Sequence, residues 1–189
     1  AGGGGTTFVE QQTASNDATI DLEAFSSHYA SHRTFMVTLA DVYPATDNSE
    51  LRITISQDGG STYLASSYYM YTNWGYDSAL NTRTAVNAGG TSYAAISAGG
   101  VDNQGPSGGY NGVLWVFGPG NTLGFAAGHR FITNQHTYRD NTSLSTVTGH
   151  GTCKISSAGA GVTMEGLRFA FASGNITTGT FTVHGIADS

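Results

Sequence analysis

Apolar and polar residues alternate along much of this chain. Four segments place an apolar residue at every second position: Phe35/Val37/Leu39, Leu51/Ile53/Ile55, Val113/Trp115/Phe117 and Leu167/Phe169/Phe171. Successive side chains of a β-strand point to opposite faces, so a period of two predicts strands with one buried face. We therefore predict that these residues form the core.

Strand-like composition extends beyond these four segments. We predict strands at residues 6–10, 19–25, 33–40, 51–56, 63–72, 92–98, 113–117, 129–134, 145–148, 166–172 and 180–186, and we expect this set to exceed the true number by one or two. A helical turn is the alternative within residues 22–32. Turn-forming residues separate the strands at 44–48, 58–60, 118–121 and 173–175. Short strands spaced in this way predict an all-β fold, an antiparallel β-sandwich rather than a parallel α/β sheet.

Composition bounds the domain organisation and the partners. The chain has 189 residues, 27 of them glycine, and only 11% are charged. We predict a flexible Gly-rich arm or linker at residues 1–7 and a single β-sandwich domain at residues 8–189. The net charge of -6 comes with no basic run, which argues against nucleic-acid binding, and no apolar run is long enough for membrane insertion. The single cysteine, Cys153, is expected to be a half-buried packing residue.

A tight-turn cassette follows the strand at residues 51–56. Ser56, Asp58, Gly60 and Thr62 match the Asp-box pattern Ser-x-Asp-x-Gly-x-Thr-Trp, with Tyr63 at the position of the Trp. The cassette therefore resembles the Asp-box, which is a structural hairpin clip in the proteins that carry it. An Asp side chain at a turn accepts backbone N–H groups and closes the loop, so we expect Asp58 to be structural rather than catalytic. Sialidases carry several such boxes and a cluster of arginines, whereas this chain has one box and scattered arginines.

Several stretches share turn and strand patterns with one known family. They are Phe25-Ser26-Ser27-His28-Tyr29, Phe35-Met36-Val37 with Pro44-Ala45-Thr46-Asp47, the 56–63 hairpin, and the closing residues 167–186 with Ser173-Gly174-Asn175 and Gly179-Thr180-Phe181. These stretches resemble a family of bacteriophage virion domains found at the ends of tail fibres and in related host-contacting or capsid-surface proteins. The resemblance covers most of the chain from about residue 19 onward, except residues 64–112. It implies a jelly-roll-like β-sandwich, often assembled as a trimer, without a catalytic motif.

Seven of the ten tyrosines fall in the middle of the chain, close to a tryptophan. Tyr and Trp offer apolar faces that cover a sugar ring, and Asn and Asp bind its hydroxyls. The same composition suits a protein interface, and it also fits aromatic residues that line the two faces of one strand. The residues predicted to bind a ligand are Tyr68, Tyr69, Tyr71, Asn73, Trp74, Tyr76, Asp77, Tyr93 and Tyr110, which we expect to be displayed at the margin of the sandwich.

Catalytic and metal chemistry have little support in the sequence. His28 and His32 are four residues apart, but no third metal ligand stands nearby, so we expect no metal site and no cofactor. No Gly-x-Ser-x-Gly or other placed nucleophile is present. Glycoside hydrolysis needs only two carboxylates, and Asp77, Asp102, Asp140 and Glu165 would be the candidates. We expect that the protein is not an enzyme.

Together these observations predict a phage virion structural protein. We expect a tail-fibre or spike head domain on the virion surface that contacts the host and binds carbohydrate. Its expected partners are two further copies of itself, other virion proteins and a host surface glycan. One alternative is a capsid decoration or head-fibre protein without a receptor role. Another is a glycan-cleaving enzyme or a carbohydrate-binding module.

Overall fold

A computed structural model of the chain describes residues 5–66, 68–104, 108–118, 130–141, 144–155 and 163–187. Of the predicted turn at 118–121, residues 119–121 lie outside the described residues. Most of the predicted arm also lies outside them. Its last two residues, Thr6 and Thr7, belong instead to the first strand, because they pair with Ile186 and Gly185.

Twelve strands and one short 3-10 turn occur in the part of the chain that the structure describes. The turn spans Ser26–His28, within the segment for which a helical turn was the alternative. The strands are β1 (Thr6–Asp17), β2 (Ile20–Leu22), β3 (His32–Pro44), β4 (Leu51–Ser56), β5 (Tyr69–Asp77), β6 (Thr82–Thr91), β7 (Ala94–Ala95), β8 (Tyr110–Phe117), β9 (Arg130–Arg139), β10 (Thr146–Ile155), β11 (Gly166–Phe171) and β12 (Ile176–Ala187). No described helix is long and apolar enough to cross a bilayer.

The strands form two antiparallel sheets that pack as a sandwich, as predicted. One sheet has eight strands in the order β1-β12-β3-β8-β9-β10-β5-β6, and the other has four in the order β2-β11-β4-β7. Four pairs are nested along the chain: β1 with β12, β2 with β11, β3 with β8 and β4 with β7. This is the pairing of one long hairpin wrapped into two sheets, which defines a jelly roll.

Two hairpins are inserted into this framework. Hairpin β5–β6 lies between β4 and β7, and hairpin β9–β10 lies between β8 and β11. Both add to the β8 edge of the larger sheet, so that β10 pairs with β9 on one side and with β5 on the other. We call these four strands the extension. It places residues from distant parts of the chain side by side.

Most of the predicted core is buried between the sheets. The apolar positions predicted on β3, β4 and β11 are at most 6% exposed. The prediction for β8 was wrong by one residue. Leu114 and Val116 are fully buried, whereas Phe117 is 42% exposed on the outward face together with Val113 and Trp115. In the sequence Val-Leu-Trp-Val-Phe the residues of both strand faces are apolar, so alternation alone does not show which face is buried. A shift of one residue moves every side chain to the opposite face of the sheet.

The predicted strands differ from the observed ones mainly in the extension. Strand β6 was missed because its sequence, from Thr82 to Thr91, has few apolar residues and lies at the edge of the sheet. The predicted segment 63–72 overlaps β5, which begins later, at Tyr69. The expectation that eleven strands were too many was also wrong, since the described residues contain twelve.

Candidate functional site

The turn after β4 is closed by its own side chains. Asp58 Oδ1 accepts a hydrogen bond from the Thr62 backbone N–H at 2.8 Å, and the Thr62 hydroxyl donates to Asp58 Oδ2 at 2.6 Å. Ser56 Oγ accepts from the Gly60 N–H at 2.9 Å and donates to Asp58 Oδ1 at 2.7 Å. These bonds lower the pKa of Asp58, that from the Thr62 side chain most of all. Gly59 and Gly60 have φ of 64° and 89°, which non-glycine residues rarely adopt. Asp58 is thus engaged in holding the hairpin.

Strand β5 divides the tyrosine-rich region between two faces. Tyr69 and Tyr71 are 0% and 8% exposed on the inward face, followed by the buried Asn73 and Asp77. The Tyr69 hydroxyl accepts from the Ile55 N–H at 2.8 Å and donates to the Leu64 carbonyl at 3.0 Å. This burial corrects the expectation that the whole region is displayed at the margin. The inward side chains of β5 are part of the core because the second sheet covers them.

Buried polar residues of β5, β8 and β9 hold strand β7 and the residue after it in place. Asn73 donates to the Ala95 carbonyl, and Asn134 and Tyr110 donate to the Ile96 carbonyl at 2.9 and 3.1 Å. Backbone carbonyls that would be unpaired in the interior thereby find donors. Tyr110, predicted as a ligand-binding residue, is 0% exposed and serves this structural role.

His136 is buried beside these amides. Its ring stacks against Tyr110 and lies next to Tyr138, with centroids 5.6 Å away in each case. Neither ring nitrogen has a hydrogen-bond partner among the described residues. Burial and, to a smaller extent, the nearby His150 together lower the pKa of His136 to about 4. The ring is therefore neutral at neutral pH.

The candidate catalytic carboxylates are held in ion pairs at one end of the sandwich. Arg83 Nη2 contacts Asp77 Oδ2 at 3.2 Å and Asp140 Oδ2 at 3.0 Å. Arg139 Nε contacts Asp102 Oδ2 at 3.3 Å. All three aspartates are buried, with at most 3% of each residue exposed. Hydrogen bonds from Asn81 lower the pKa of Asp77. Asp77, also predicted to bind a ligand, is therefore occupied by partners within the chain.

The remaining predicted carboxylate and histidines do not form a reactive cluster. Glu165 Oε1 accepts a hydrogen bond from the Thr163 hydroxyl at 3.2 Å. The His28 and His32 rings are 6.1 Å apart, and His32 is buried. No group of three or more metal-ligating side chains occurs within the described ranges.

An aromatic cluster lies on the outward face of β5 and β10. Trp74 meets His150 with ring centroids 4.2 Å apart and Tyr76 at 5.8 Å, both edge to face. His150 pairs with Trp74 across the two strands. Tyr76 is 49% exposed and His150 is also exposed, whereas Trp74 is half-buried. We call these three residues the outer aromatic cluster.

The other two predicted ligand-binding tyrosines lie elsewhere. Tyr68 is half-buried before β5 and packs against the core, with its N–H bonded to the Thr91 carbonyl at 3.1 Å. Tyr93 lies under the guanidinium of Arg52, at 3.8 Å from the ring centroid. Of the nine predicted residues, the structure therefore joins only Trp74 and Tyr76 on one exposed surface.

A groove of about 690 Å³ lies beside the outer aromatic cluster, and His150 belongs to both. Strand pairing builds its walls, because Thr38, Val113, Gln135, His150 and Trp74 form one row across five strands. The polar residues that line it are Thr38, Asn111, Gln135, His136, Thr137, Thr148 and His150. An aromatic edge beside several amides and hydroxyls suits a polar ligand with one apolar face.

Sequence reasoning missed the groove residues because none belongs to a local motif. Asn111, Gln135 and Thr148 come from β8, β9 and β10 and lie close together only through the register of the extension. A run of Thr and Gln at alternate positions, as in β9, was the one available signal for an exposed polar strand face.

Comparisons with models of protein families and with curated proteins find no match. One similar solved structure is that of the infectious bursal disease virus Gx strain, with 10% sequence identity and a TM-score of 0.12. The alignment covers 97% of this chain, which spans 40% of the viral chain. A TM-score this low carries no argument about fold or function.

Proposed function

We propose that this chain is a non-enzymatic virion-surface protein of a tailed phage and that it binds carbohydrate of the host surface in the groove beside Trp74. Two arguments support this role. The segments quoted above resemble phage virion domains, and jelly rolls serve in both capsid and lectin domains. The observation that carries the proposal is the exposed aromatic cluster next to a groove lined by amides and hydroxyls.

The groove offers a sugar both kinds of contact that recognition needs. The CH face of a ring would lie against Trp74 or Tyr76, where an apolar surface is already exposed. Its hydroxyls would bond to Thr148, Gln135 and Thr137, whose exposed side chains line the groove. No Asp, Glu, Lys or Arg is among the described residues that line the groove, so a neutral sugar suffices as the ligand.

We further propose that the protein assembles as a homotrimer. On the outward face of the larger sheet, Phe117, Phe131, Lys154 and Met70 form one row, and the three apolar members are 42%, 42% and 36% exposed. This row is separate from the rows of the groove, and Lys154 is its one charged side chain. Exposed aromatic and Met residues with little charge are typical of subunit interfaces. Three copies of the groove would raise the avidity for repeated sugars.

A glycan array with matched variants tests carbohydrate binding. We expect Trp74→Ala and Tyr76→Ala to reduce binding at least about tenfold, which corresponds to roughly 1.4 kcal/mol of lost binding energy. Phe8→Ala is the matched control, because Phe8 is an exposed aromatic residue on the same sheet face at the opposite edge. Binding of neutral glycans that is seen with the wild type and persists in both groove variants would contradict the assignment of the site.

The alternative is a capsid decoration or head-fibre protein whose exposed aromatic residues contact neighbouring virion subunits. Absence of binding to any host polysaccharide, together with normal incorporation into particles, would favour it. Release of reducing sugar from host capsule by the purified protein would instead indicate a glycan-cleaving enzyme. The mass of the protein in solution at micromolar concentration tests the trimer, and a monomeric mass would contradict it.

A further inference from the structure

A second depression lies on the outward face of the four-stranded sheet, away from the groove. It has a volume of about 410 Å³, and Thr54 and Ala170 lie between its two arginines, Arg52 and Arg168. Arg168 pairs with Thr54 and Arg52 pairs with Ala170, so the arginines are diagonal neighbours on adjacent antiparallel strands. Their small partners leave space between the two long side chains. The fold thus brings together two of the arginines that are scattered in the sequence.

Each guanidinium is held between an aromatic ring and a carboxylate. Arg168 lies 3.7 Å from the centroid of Tyr63, and its Nε and Nη2 donate to the two oxygens of Asp21 at 2.7 and 2.6 Å. Asp21 also raises the pKa of Arg168 through this hydrogen bonding. The guanidinium therefore keeps one orientation and remains charged.

Arg52 is held in the same manner on the adjacent strand. Its guanidinium lies 3.8 Å from the centroid of Tyr93, and its Nε donates to Glu50 Oε2 at 2.8 Å. Stacking on a ring and a fixed ion pair restrict the side chain before any ligand arrives, which lowers the entropy cost of binding. The two arginines are preorganised by separate but equivalent contacts.

Several N–H donors are left over at this site. A guanidinium has five N–H groups, and Arg168 Nη1 and both Nη atoms of Arg52 have no hydrogen-bond partner in the described part of the chain. The residues that line the depression include Arg52 and Arg168, and no Asp or Glu is among the described lining residues. Asp21 and Glu50 contact their arginines from outside the lining. The free donors are thus the charged groups that a ligand in the depression would meet.

We propose that this depression binds a saccharide residue that bears a carboxylate. The carboxylate would accept hydrogen bonds from Arg52 and Arg168, since guanidinium groups match the geometry of carboxylate oxygens. The hydroxyls of Thr54 and Ser92 and the side chains of Leu64 and Phe171 supply polar and apolar contacts for a sugar ring. Nearby Asp21, Glu23 and Glu50 outnumber the two guanidinium charges, so binding rests on directed hydrogen bonds rather than on net charge and is weak at a single site.

Chemical-shift perturbation with isotope-labelled protein tests the proposal. The probes are the methyl glycosides of glucuronic acid, galacturonic acid and N-acetylneuraminic acid, and methyl glucoside is the neutral counterpart of the first. We expect at least one acidic glycoside to shift the resonances of Thr54, Arg52 and Arg168, with an affinity at least tenfold above that of the neutral glycoside. Equal binding of methyl glucoside, or no shift with any acidic probe, would overturn the proposal.

Arg52→Gln is the decisive variant because it leaves the ion pair of Arg168 with Asp21 in place. We expect at least a tenfold loss of affinity for the acidic glycoside, while unchanged resonances elsewhere show that the fold is intact. Arg33→Gln on β3 is the matched control and is expected to bind as the wild type. Wild-type affinity in Arg52→Gln would overturn the proposal. Trp74→Ala separates this site from the groove. This variant should leave the affinity of the depression for the acidic glycoside unchanged, whatever its effect on the glycan array.

Discussion

The two faces of strand β5, in the extension, differ in burial and in contacts although their composition is similar. On the inward face, Tyr69 and Asn73 are buried and hydrogen-bonded to the backbone of β4 and β7 or to loops beside them. On the outward face of the same strand, Trp74 and Tyr76 lie beside an open groove. Aromatic enrichment therefore does not by itself distinguish a core from a binding surface. The position of each residue within the alternation decides it, because neighbouring residues on a strand face opposite environments.

The largest expected difference between the two faces is in stability. Tyr69→Ala should lower the free energy of unfolding by about 3–5 kcal/mol, since it empties a fully buried site and leaves the Ile55 N–H without its acceptor. Urea denaturation followed by circular dichroism measures the change. A loss below about 1 kcal/mol would show that the inward face of β5 does not belong to the core.

The two histidines of the extension provide a comparison by pH. The pKa of His136 in the folded chain is about 4, below its ordinary value of 6.5, because the ring is buried. The unfolded chain therefore takes up a proton that the folded chain does not, and stability falls as the pH drops from about 6.5 to about 4. The free energy of unfolding lost through this difference in proton binding is roughly 3 kcal/mol.

Replacement of each histidine checks this linkage. His136→Gln should flatten the decline of the unfolding free energy between pH 7 and pH 4.5, measured by urea titration at several pH values. His150→Gln, on the exposed face, should retain the decline. The lowered pKa values of Asp58 and Asp77 reduce stability mainly as the pH falls below about 4.5, so they interfere little in this range. Parallel curves for the wild type and His136→Gln would refute the assignment.

A smaller effect is expected from the amide that supports β7. Asn73→Ala removes the donor to the Ala95 carbonyl in the interior and should cost about 1–3 kcal/mol of unfolding free energy. Thr72→Ala, its exposed neighbour on the outward face, is the control and should cost less than about 1 kcal/mol. Equal losses for the two variants would remove the distinction between the faces at this point of β5.

The smallest effect on stability is expected on the outward face. Tyr76→Ala should change the unfolding free energy by less than about 0.5 kcal/mol, because the ring is half exposed and lies over the surface of the sheet. Thermal and urea denaturation measure this change alongside glycan binding. A strongly destabilised Tyr76→Ala would mean that the ring contributes to folding and would weaken its assignment to a ligand.

Prediction succeeded where the signal was local. Strand β4 was predicted with its observed bounds, because a short run of alternating Leu and Ile ends at a turn with two glycines. The register of β8 was missed since both of its faces are apolar. Strand β6 was missed because an edge strand needs few apolar residues. Trp74 and Tyr76 were among the predicted site residues, but the groove residues on β8, β9 and β10 belong to no local motif.

The sequence by itself determined the β architecture of this protein and the turn at Asp58, because alternation and turn chemistry act between residues close together in the chain. Only the tertiary structure decided which aromatic residues are buried, how the extension joins the β8 edge, and which arginines share a depression. Those features depend on the pairing of strands that are far apart in sequence. That pairing is set by the packing of whole faces and is not encoded in any one segment.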